Sequence, residues 1–498
     1  MAVMRTTLTA LAALVVAAPL AAESVSEAEV EIEIEIGFEE QAGLGEEIEV
    51  EVEEAVETTP LPLLVIGSHS APPGDVRGLE SRPRVEPEDL LLALPRAVLF
   101  LPRLVVVAAF APLRAGLRAS QRAGFIPKAS AALRWNEAET FGIRPVVSFL
   151  SSDGFSGGAT LFHEDLLGHD EELHVSARFG GRHVQAYELG FEGERVGGGH
   201  LWLETLVRYE SSPALLFAGV GDHELGCGAA VGANPSELGC ETHYSEDRLL
   251  GLAVVGASFG PVGQRLKVGV ATVLNDRTFG EASRSGRRSI GEVYDTAAVD
   301  GFDEDVTTLE LDGSLVLDFM SAQGLYGTGV YLETFFGGTA PLNRYRYLHY
   351  GGELAGTIDL YRGTRLLTLR TAFEGTRPLR DYVVPFSELP RLGGPDRLRG
   401  YARDRFRDRL AALASVEYRY PIHAAVSGEF FADFGGVGRD TDALFGSPDA
   451  WNFGVGGGLV VGSADDIGFR FDVAYGEGAA VFISSELAHA FRNTRSEL

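Results

Sequence analysis

The residues of this chain best placed to act through charge lie around one Pro- and Gly-rich stretch. It runs Leu389-Pro390-Arg391-Leu392-Gly393-Gly394-Pro395-Asp396-Arg397-Leu398-Arg399-Gly400-Tyr401 and continues to Arg409. Two segments with acidic residues follow it, Val416-Glu417-Tyr418-Arg419-Tyr420-Pro421-Ile422 and Phe431-Ala432-Asp433-Phe434-Gly435. Successive side chains of a strand point to opposite faces. If Val416, Tyr418 and Tyr420 face an apolar medium, Glu417 and Arg419 face away from it. By the same parity Glu429 and Asp433 oppose Phe430 and Phe434. Carboxylates on adjacent strands would attract a loop carrying Arg397 and Arg399 through charge-assisted hydrogen bonds. The competing reading is an ordinary surface loop with scattered arginines.

Other candidate chemistry is weaker. Gly154-Phe155-Ser156-Gly157-Gly158 matches the G-x-S-x-G pattern of a hydrolase nucleophile elbow. That elbow needs a strand before the serine and a helix after it, whereas Ala159 to Asp165 reads as continuing strand. His163, His169, His174 and His183, with Asp165, Asp170, Glu171 and Glu172, follow no ligand spacing, and strand alternation scatters them over both faces. The acidic stretch Asp300 to Asp305 lacks the ligand order of a calcium loop. No catalytic residue, metal or cofactor is assigned from sequence, and the chain is not expected to be an enzyme.

The elements that would hold such a loop emerge from composition and periodicity. The 498 residues include 62 Gly, only two Cys and three Met, with a net charge of -29. Glycine well above the norm of roughly 7% suits extended structure with close backbone approaches. The acidic balance excludes a nucleic-acid partner, because phosphate binding needs a concentrated basic face. Residues 1–22 have the form of a secretory signal peptide: Arg5, an apolar core from Leu8 to Leu20, then Ala21 and Ala22. Residues 23–59 form an acidic low-complexity arm that supplies about half of the net charge and reads as a solvated, disordered arm or a docking strand. A Pro- and Gly-rich linker covers 60–89. Residues 90–123 place Arg114, Arg118 and Arg122 on one helical face, as in an interfacial amphipathic helix or a packing helix.

From Phe141 to Phe491 the period is two, broken by turns. Leu309, Leu311, Leu315, Leu317 and Phe319 alternate with Glu310, Asp312, Ser314 and Asp318. Strands are expected to begin near Phe141, Gly154, Glu171, Val184, His200, Tyr244, Gln264, Asp305, Thr328, Tyr347, Thr364, Leu410, Ala424, Trp451, Ile467 and Ala480. Each segment is near the roughly ten residues that a tilted strand needs to cross a bilayer. The long connections begin at Ser211, Asn275, Gly337, Gly375 and Gly438, all after odd-numbered strands. One face therefore carries long loops and the other short turns, the asymmetry of an outer-membrane barrel. The predicted fold is all-β: a 16-stranded antiparallel transmembrane β-barrel over 140–491, with an acidic arm and a short helix before it and a tail at 492–498.

The order of motifs, Gly-Gly, Leu-Arg-Gly-Tyr, Glu-Tyr-Arg-Tyr-Pro-Ile and Phe-Ala-Asp-Phe-Gly, resembles the bacterial surface antigen superfamily, the family of the BamA and TamA assembly factors. The resemblance implies a bacterial outer-membrane location and insertion or translocation of proteins or lipids. It implies that the sixth loop folds into the lumen, with Arg399 pairing with Asp433 and Glu417 as a second acid. It also implies a weak seam between the first and last strands, where Pro145 cannot donate a ladder hydrogen bond, and an insertion signal at the terminal aromatic Phe491. The POTRA modules of assembly factors have no evident counterpart upstream of Phe141, so docking of periplasmic partners is left open. Outer-membrane lipids, with unfolded outer-membrane proteins or lipids as substrates, are the partners implied. A passive channel or structural membrane protein is the alternative function, and an outer-membrane hydrolase a further one.

Cys227 and Cys240 both lie in the long third loop. In an exported chain they favour a local disulfide over a thiol metal site, since no further ligands stand at zinc spacing. Non-reducing peptide mapping is expected to recover them as one linked pair; alkylation of both thiols without reduction would rule the pairing out.

Overall fold

A strand with one apolar and one polar face must give each its own medium, and a long series of such strands satisfies every edge only by closing on itself. In the computed structural model, the strands β1 (Phe141–Leu150), β2 (Gly154–His163), β3 (Glu172–Gly180), β4 (His183–Val196), β5 (Leu201–Phe217), β6 (Thr242–Phe259), β7 (Arg265–Glu281) and β8 (Val306–Asp318) build the first half of the wall. The second half comprises β9 (Gly329–Thr339), β10 (Tyr347–Asp359), β11 (Leu366–Pro378), β14 (Leu410–His423), β15 (Val426–Gly438), β16 (Trp451–Gly462), β17 (Ile467–Tyr475) and β18 (Ala479–Ser484). Each pairs antiparallel with its neighbours, and β1 with β18 closes the sixteen-stranded barrel. Two short strands, β12 (Arg391–Leu392) and β13 (Phe406–Arg407), pair only with each other, inside the connection from β11 to β14. A six-residue helix, α1 (Thr441–Gly446), follows β15. The structure describes residues 133–484 except 137, 139, 222–240, 262–263, 322–324, 326, 362–364, 424, 447 and 463–466. The leader, arm, linker and amphipathic segment, the C-terminal tail, Phe491, Cys227 and Cys240 lie outside the described residues.

The barrel is apolar outside and polar inside. Along β8 the residues Thr308, Glu310, Asp312, Ser314 and Asp318 are buried, while Leu311 stands exposed on the other face. Val255, Leu369, Val416, Phe430 and Phe434 are likewise exposed around the wall. Glu246, Arg248, Asn275, Glu353, Glu374, Glu429, Asp433 and Asp472 are buried within it. Among the described residues no helix is long and apolar enough to cross a membrane; the strands do that work. The observed strand starts fall within two residues of those expected from sequence.

Strand length departs from expectation. β5, β6 and β7 run 17, 18 and 17 residues, well beyond the roughly ten that span the hydrocarbon. β5 continues past Ser211 to Phe217 and β7 past Asn275 to Glu281, because their backbone groups go on pairing with β6 outside the bilayer. On the inner face of that extension Leu215, Phe217 and Tyr244 pack with Ile290, Tyr294 and Phe302 of the β7–β8 connection and with Phe386 of the β11–β14 connection. Phe386 meets Tyr244 and Phe217 edge to face, with centroids 5.3 and 5.8 Å apart, an arrangement favoured by the ring quadrupoles. This cluster fixes one end of the β11–β14 connection over the barrel interior.

Val416 lies midway along β14 on the outer face. Val416→Arg is expected to lower barrel stability by about 2–4 kcal/mol in lipid vesicles, and Ile358→Arg, at the end of β10, by about 1 kcal/mol or less. Urea titration of the folded band in liposomes measures both, and equal costs at the two depths would contradict this orientation.

Candidate functional site

Residues 379–409 connect β11 to β14 and hold most of the sequence-derived candidates. β12 and β13 pinch the segment into a small hairpin, Arg391 opposite Arg407 and Leu392 opposite Phe406. Its tip turns through Gly393, Gly394 and Gly400, all at positive φ near +100°. There the Gly393 amide donates to the Arg397 carbonyl at 2.6 Å and the Gly394 amide to the Tyr401 carbonyl at 3.1 Å. Gly400 also needs its missing Cβ for space, because a methyl there would sit 2.7 Å from the backbone nitrogen of Gly476. Across the wall Gly454 makes room in the same way, since a Cβ on it would overlap the Arg399 carbonyl.

Arg399 is buried at the centre. Its Nε and Nη2 donate to the two oxygens of Asp433, both at 2.7 Å, and its backbone amide donates to Asp433 Oδ2 at 2.9 Å. Nη2 also reaches Ser415 Oγ at 3.0 Å, and Nη1 lies 2.7 Å from Glu417 Oε1. The guanidinium plane sits 3.5 Å from the centroid of the Phe431 ring, adding a cation–π contact. Ser415 Oγ donates to Asp433 Oδ1 at 2.6 Å, so the carboxylate is oriented from β14 as well. The guanidinium thus meets a bidentate acid, a second acid, a hydroxyl and an aromatic face, which together replace its hydration shell.

A second arginine extends the network. Arg470 of β17 reaches Glu429 at 2.6 Å, Glu417 at 3.4 Å and Asp472 at 2.7 Å. Arg397 points elsewhere: its Nη1 donates to Glu374 Oε2 of β11 at 3.1 Å, rather than to Glu417 or Asp433. Arg370 of β11 donates to the Asp396 carbonyl at 2.7 Å while holding Glu353. Arg405 makes a two-point contact with Glu477, each bond 2.8 Å. The Tyr401 hydroxyl donates to the Phe453 carbonyl at 3.2 Å. Asp404, itself at φ +59°, lies 3.4 Å from Arg391 and 3.2 Å from Arg182 of the wall. Burial alone would raise its carboxyl, yet the Arg391, Arg182 and Arg407 guanidinium groups overcome that and hold it well below the usual carboxylate range.

The remaining sequence candidates are dispersed. Ser156 lies within β2, and its Oγ is 2.6 Å from Ser148 Oγ, with no helix following it. His174 pairs with Glu188 at 3.0 Å and His183 with Ser212 at 2.8 Å, so the histidines do not converge. Pro145 is exposed in β1 opposite Ala159 of β2. The described pairing of β1 with β18 comprises only Ser148 with Ser484, Phe149 with Ile483 and Leu150 with Phe482. Sequence reasoning missed Ser415, Glu374 and Glu477 as partners of the segment. Their inward parity was readable, but which of many inward residues a loop would meet was not.

A closed barrel with an apolar outer belt, a polar interior and an arginine-bearing segment against its inner wall is an outer-membrane β-barrel of bacteria. Residues 282–479, which include this segment and its acidic partners, match the Omp85 superfamily domain. The match lies within the barrel and covers less than half of the chain. No curated protein matches the chain. Among solved structures it is similar to BamA from Haemophilus ducreyi lacking POTRA domains 1–3, at 15% identity and TM-score 0.47, covering 70% of each chain. CdiB from Acinetobacter baumannii matches at 13% identity and TM-score 0.43, covering 69% of this chain and 59% of that one. CdiB from Escherichia coli matches at 11% and 0.45, covering 69% and 62%.

Removing one partner of a buried, hydrogen-bonded charge pair costs about 3–5 kcal/mol. Asp433→Asn and Arg399→Ala are each expected to lower the unfolding temperature of the barrel, read as heat-modifiable migration on gels. Exchanging the two charges, Arg399→Asp with Asp433→Arg, should not rescue them, because the new carboxylate would face Glu417, now 2.7 Å from Arg399 Nη1. Full rescue by the exchange would show that Asp433 alone holds Arg399.

Proposed function

We propose that this barrel inserts or translocates proteins or lipids at the bacterial outer membrane, opening between β1 and β18 while residues 379–409 act as an internal anchor for the strands from β11 to β17. The observation that carries the reading is the seam. Among the described residues β1 and β18 are in register at three positions, whereas every other adjacent pair of wall strands is paired at six or more. A ladder hydrogen bond contributes about 0.5–1.5 kcal/mol net in water, so the described part of the seam, three pairs in register and the Ser151 amide donating to the Val481 carbonyl at 3.1 Å, is held by fewer such bonds than any other described junction. Pro145 stands three residues before its first pair and has no amide hydrogen to lengthen the ladder. The match of residues 282–479 to the Omp85 superfamily domain supports the same class of activity, with outer-membrane proteins or lipids as cargo.

The anchor belongs to the same mechanism. Arg399 joins the segment to β14 and β15, Arg397 and Arg370 join it to β11, and Arg405 joins it to Glu477 beyond β17. Those strands stay ordered while β1 and β18 separate.

A passive channel is the second reading, favoured by a polar cavity of about 320 Å³ inside the wall, lined in part by Arg178, Arg182, Arg208, Asp396, Arg403 and Arg470. One experiment separates them. Phe149→Cys with Ile483→Cys, in a Cys227→Ser and Cys240→Ser background, places a thiol pair across the seam at residues in register. In cells depleted of the native protein, the oxidised pair is expected to fail to restore the outer-membrane protein and lipid profile, and reduction is expected to restore it. A trapped seam that supports a normal profile, with unchanged single-channel conductance in planar bilayers, would favour the channel.

A further inference from the structure

Beneath the anchored segment, on the inner wall formed by β8, β10 and β11, lies a group of side chains that neither the seam nor the Arg399 network uses. We propose that Glu310, Asp312 and His349 form a binding site for a first-row divalent cation, of which zinc is the best match. Glu310 and Asp312 are two apart on β8 and so share the inward face, and His349 faces them from β10. All three are buried, at 5%, 1% and 4% exposure. One ligand atom from each lies within 4.8 Å of the other two, which leaves a point within about 2.8 Å of all three; side-chain movements of under about 1 Å would reach the roughly 2.0–2.2 Å of zinc–nitrogen and zinc–oxygen bonds. Two carboxylates and a neutral imidazole balance the charge of the ion.

The surroundings of the histidine point the same way independently of the cluster. His349 Nε2 lies 3.3 Å from Glu374 Oε1, so the ring can donate on that side. Its Nδ1 faces Glu310 Oε2 at 3.5 Å and makes no hydrogen bond there, a buried nitrogen aimed into the cluster. A ring that donates one N–H to a carboxylate and presents its other nitrogen to an ion is the usual arrangement of a metal-bound histidine. The outer partners are held in turn. Tyr347 donates its hydroxyl to Glu310 Oε1 at 2.6 Å, leaving Oε2 for the ion, and Arg397 of the anchored segment holds the other oxygen of Glu374 at 3.1 Å. Phe335 packs on the imidazole with centroids 4.6 Å apart and limits its rotation. Imidazole with carboxylates suits zinc better than calcium or magnesium, which prefer oxygen ligands alone. The bound ion would tie β8 to β10 directly under the Arg397–Glu374 contact.

The same geometry without an ion would be a protonated His349 shared between Glu310 and Glu374, and metal titration distinguishes the two. The full chain, folded in detergent and stripped with a chelator, is titrated with Zn2+ against a competing indicator, and separately with Ca2+ and Mg2+. The expected result is one Zn2+ per chain in a site that Ca2+ and Mg2+ do not fill. His349→Gln and Asp312→Asn should each weaken it at least about 100-fold, and Glu374→Gln, which removes the outer partner, by about 10–100-fold. His174→Gln, which alters a histidine–carboxylate pair elsewhere on the wall, should leave it unchanged. Zinc uptake that persists in His349→Gln, or no saturable uptake by the unsubstituted protein, would overturn the proposal. If the variants fail to fold, the unsubstituted protein loaded with Co2+ decides: visible bands of a low-coordinate nitrogen and oxygen site are expected, and a spectrum matching hexa-aqua cobalt would overturn it.

Discussion

The burial of the Arg399 guanidinium is the constraint around which the rest of this structure is arranged. An uncompensated charge in a protein interior costs several kcal/mol or more, and here the compensation comes from two neighbouring strands. Asp433 and the more distant Glu429 come from β15, and Glu417 and Ser415 from β14, while Arg470 of β17, itself a cation, shares Glu417 and Glu429 and is balanced by Asp472. Those strands can contribute together only if the wall between them is closed and in register. The segment that carries Arg399 must also bend sharply, and the glycines at 393, 394 and 400 supply backbone conformations that other residues adopt with strain. Opposite the arginine, Gly454 supplies the clearance its carbonyl needs. Charge, turn and clearance specify one another.

This arrangement divides the barrel mechanically. The wall from β11 to β17 is cross-braced from within by Arg370, Arg397, Arg399 and Arg405. The extended β5 to β7 ladders are capped by the aromatic cluster around Tyr244 and Phe386. The β1–β18 junction has three described pairs, with Leu150 of β1 clustered with Ala480 and Phe482 of β18. The proposed opening runs along the junction with the shortest described ladder, beside the strands that the arginines brace. The Glu310, Asp312 and His349 group lies on β8 and β10, between these two braced regions, and a cation there would join the strands that separate them.

Much of the frame was legible from the chain. Period-two alternation located all sixteen strands, because lipid outside and water inside impose opposite demands on alternate residues. The parity of long connections located the face that carries the loops. The upper limits of β5 and β7 were misread, since Gly and Pro beyond Ser211 and Asn275 look like loop although the ladder with β6 continues through them. Parity also turned Glu417, Glu429 and Asp433 inward. It could not say that Arg397 would meet Glu374, or that Arg470 would join Glu417 and Glu429.

The sequence by itself determined the local alternation, the positions of the turns and which face of each strand would be charged, because these depend on residues a few positions apart. Only the tertiary structure decided which charges meet. Arg399 and Asp433 are 34 residues apart, Arg405 and Glu477 72, and Arg284 donates across 131 residues to the Asp153 carbonyl. Glu310 and Asp312 likewise gain His349 only when β8 and β10 are brought side by side around β9. Those distances close because the curvature and register of the barrel bring inward faces together around a common interior, and no local pattern encodes that convergence.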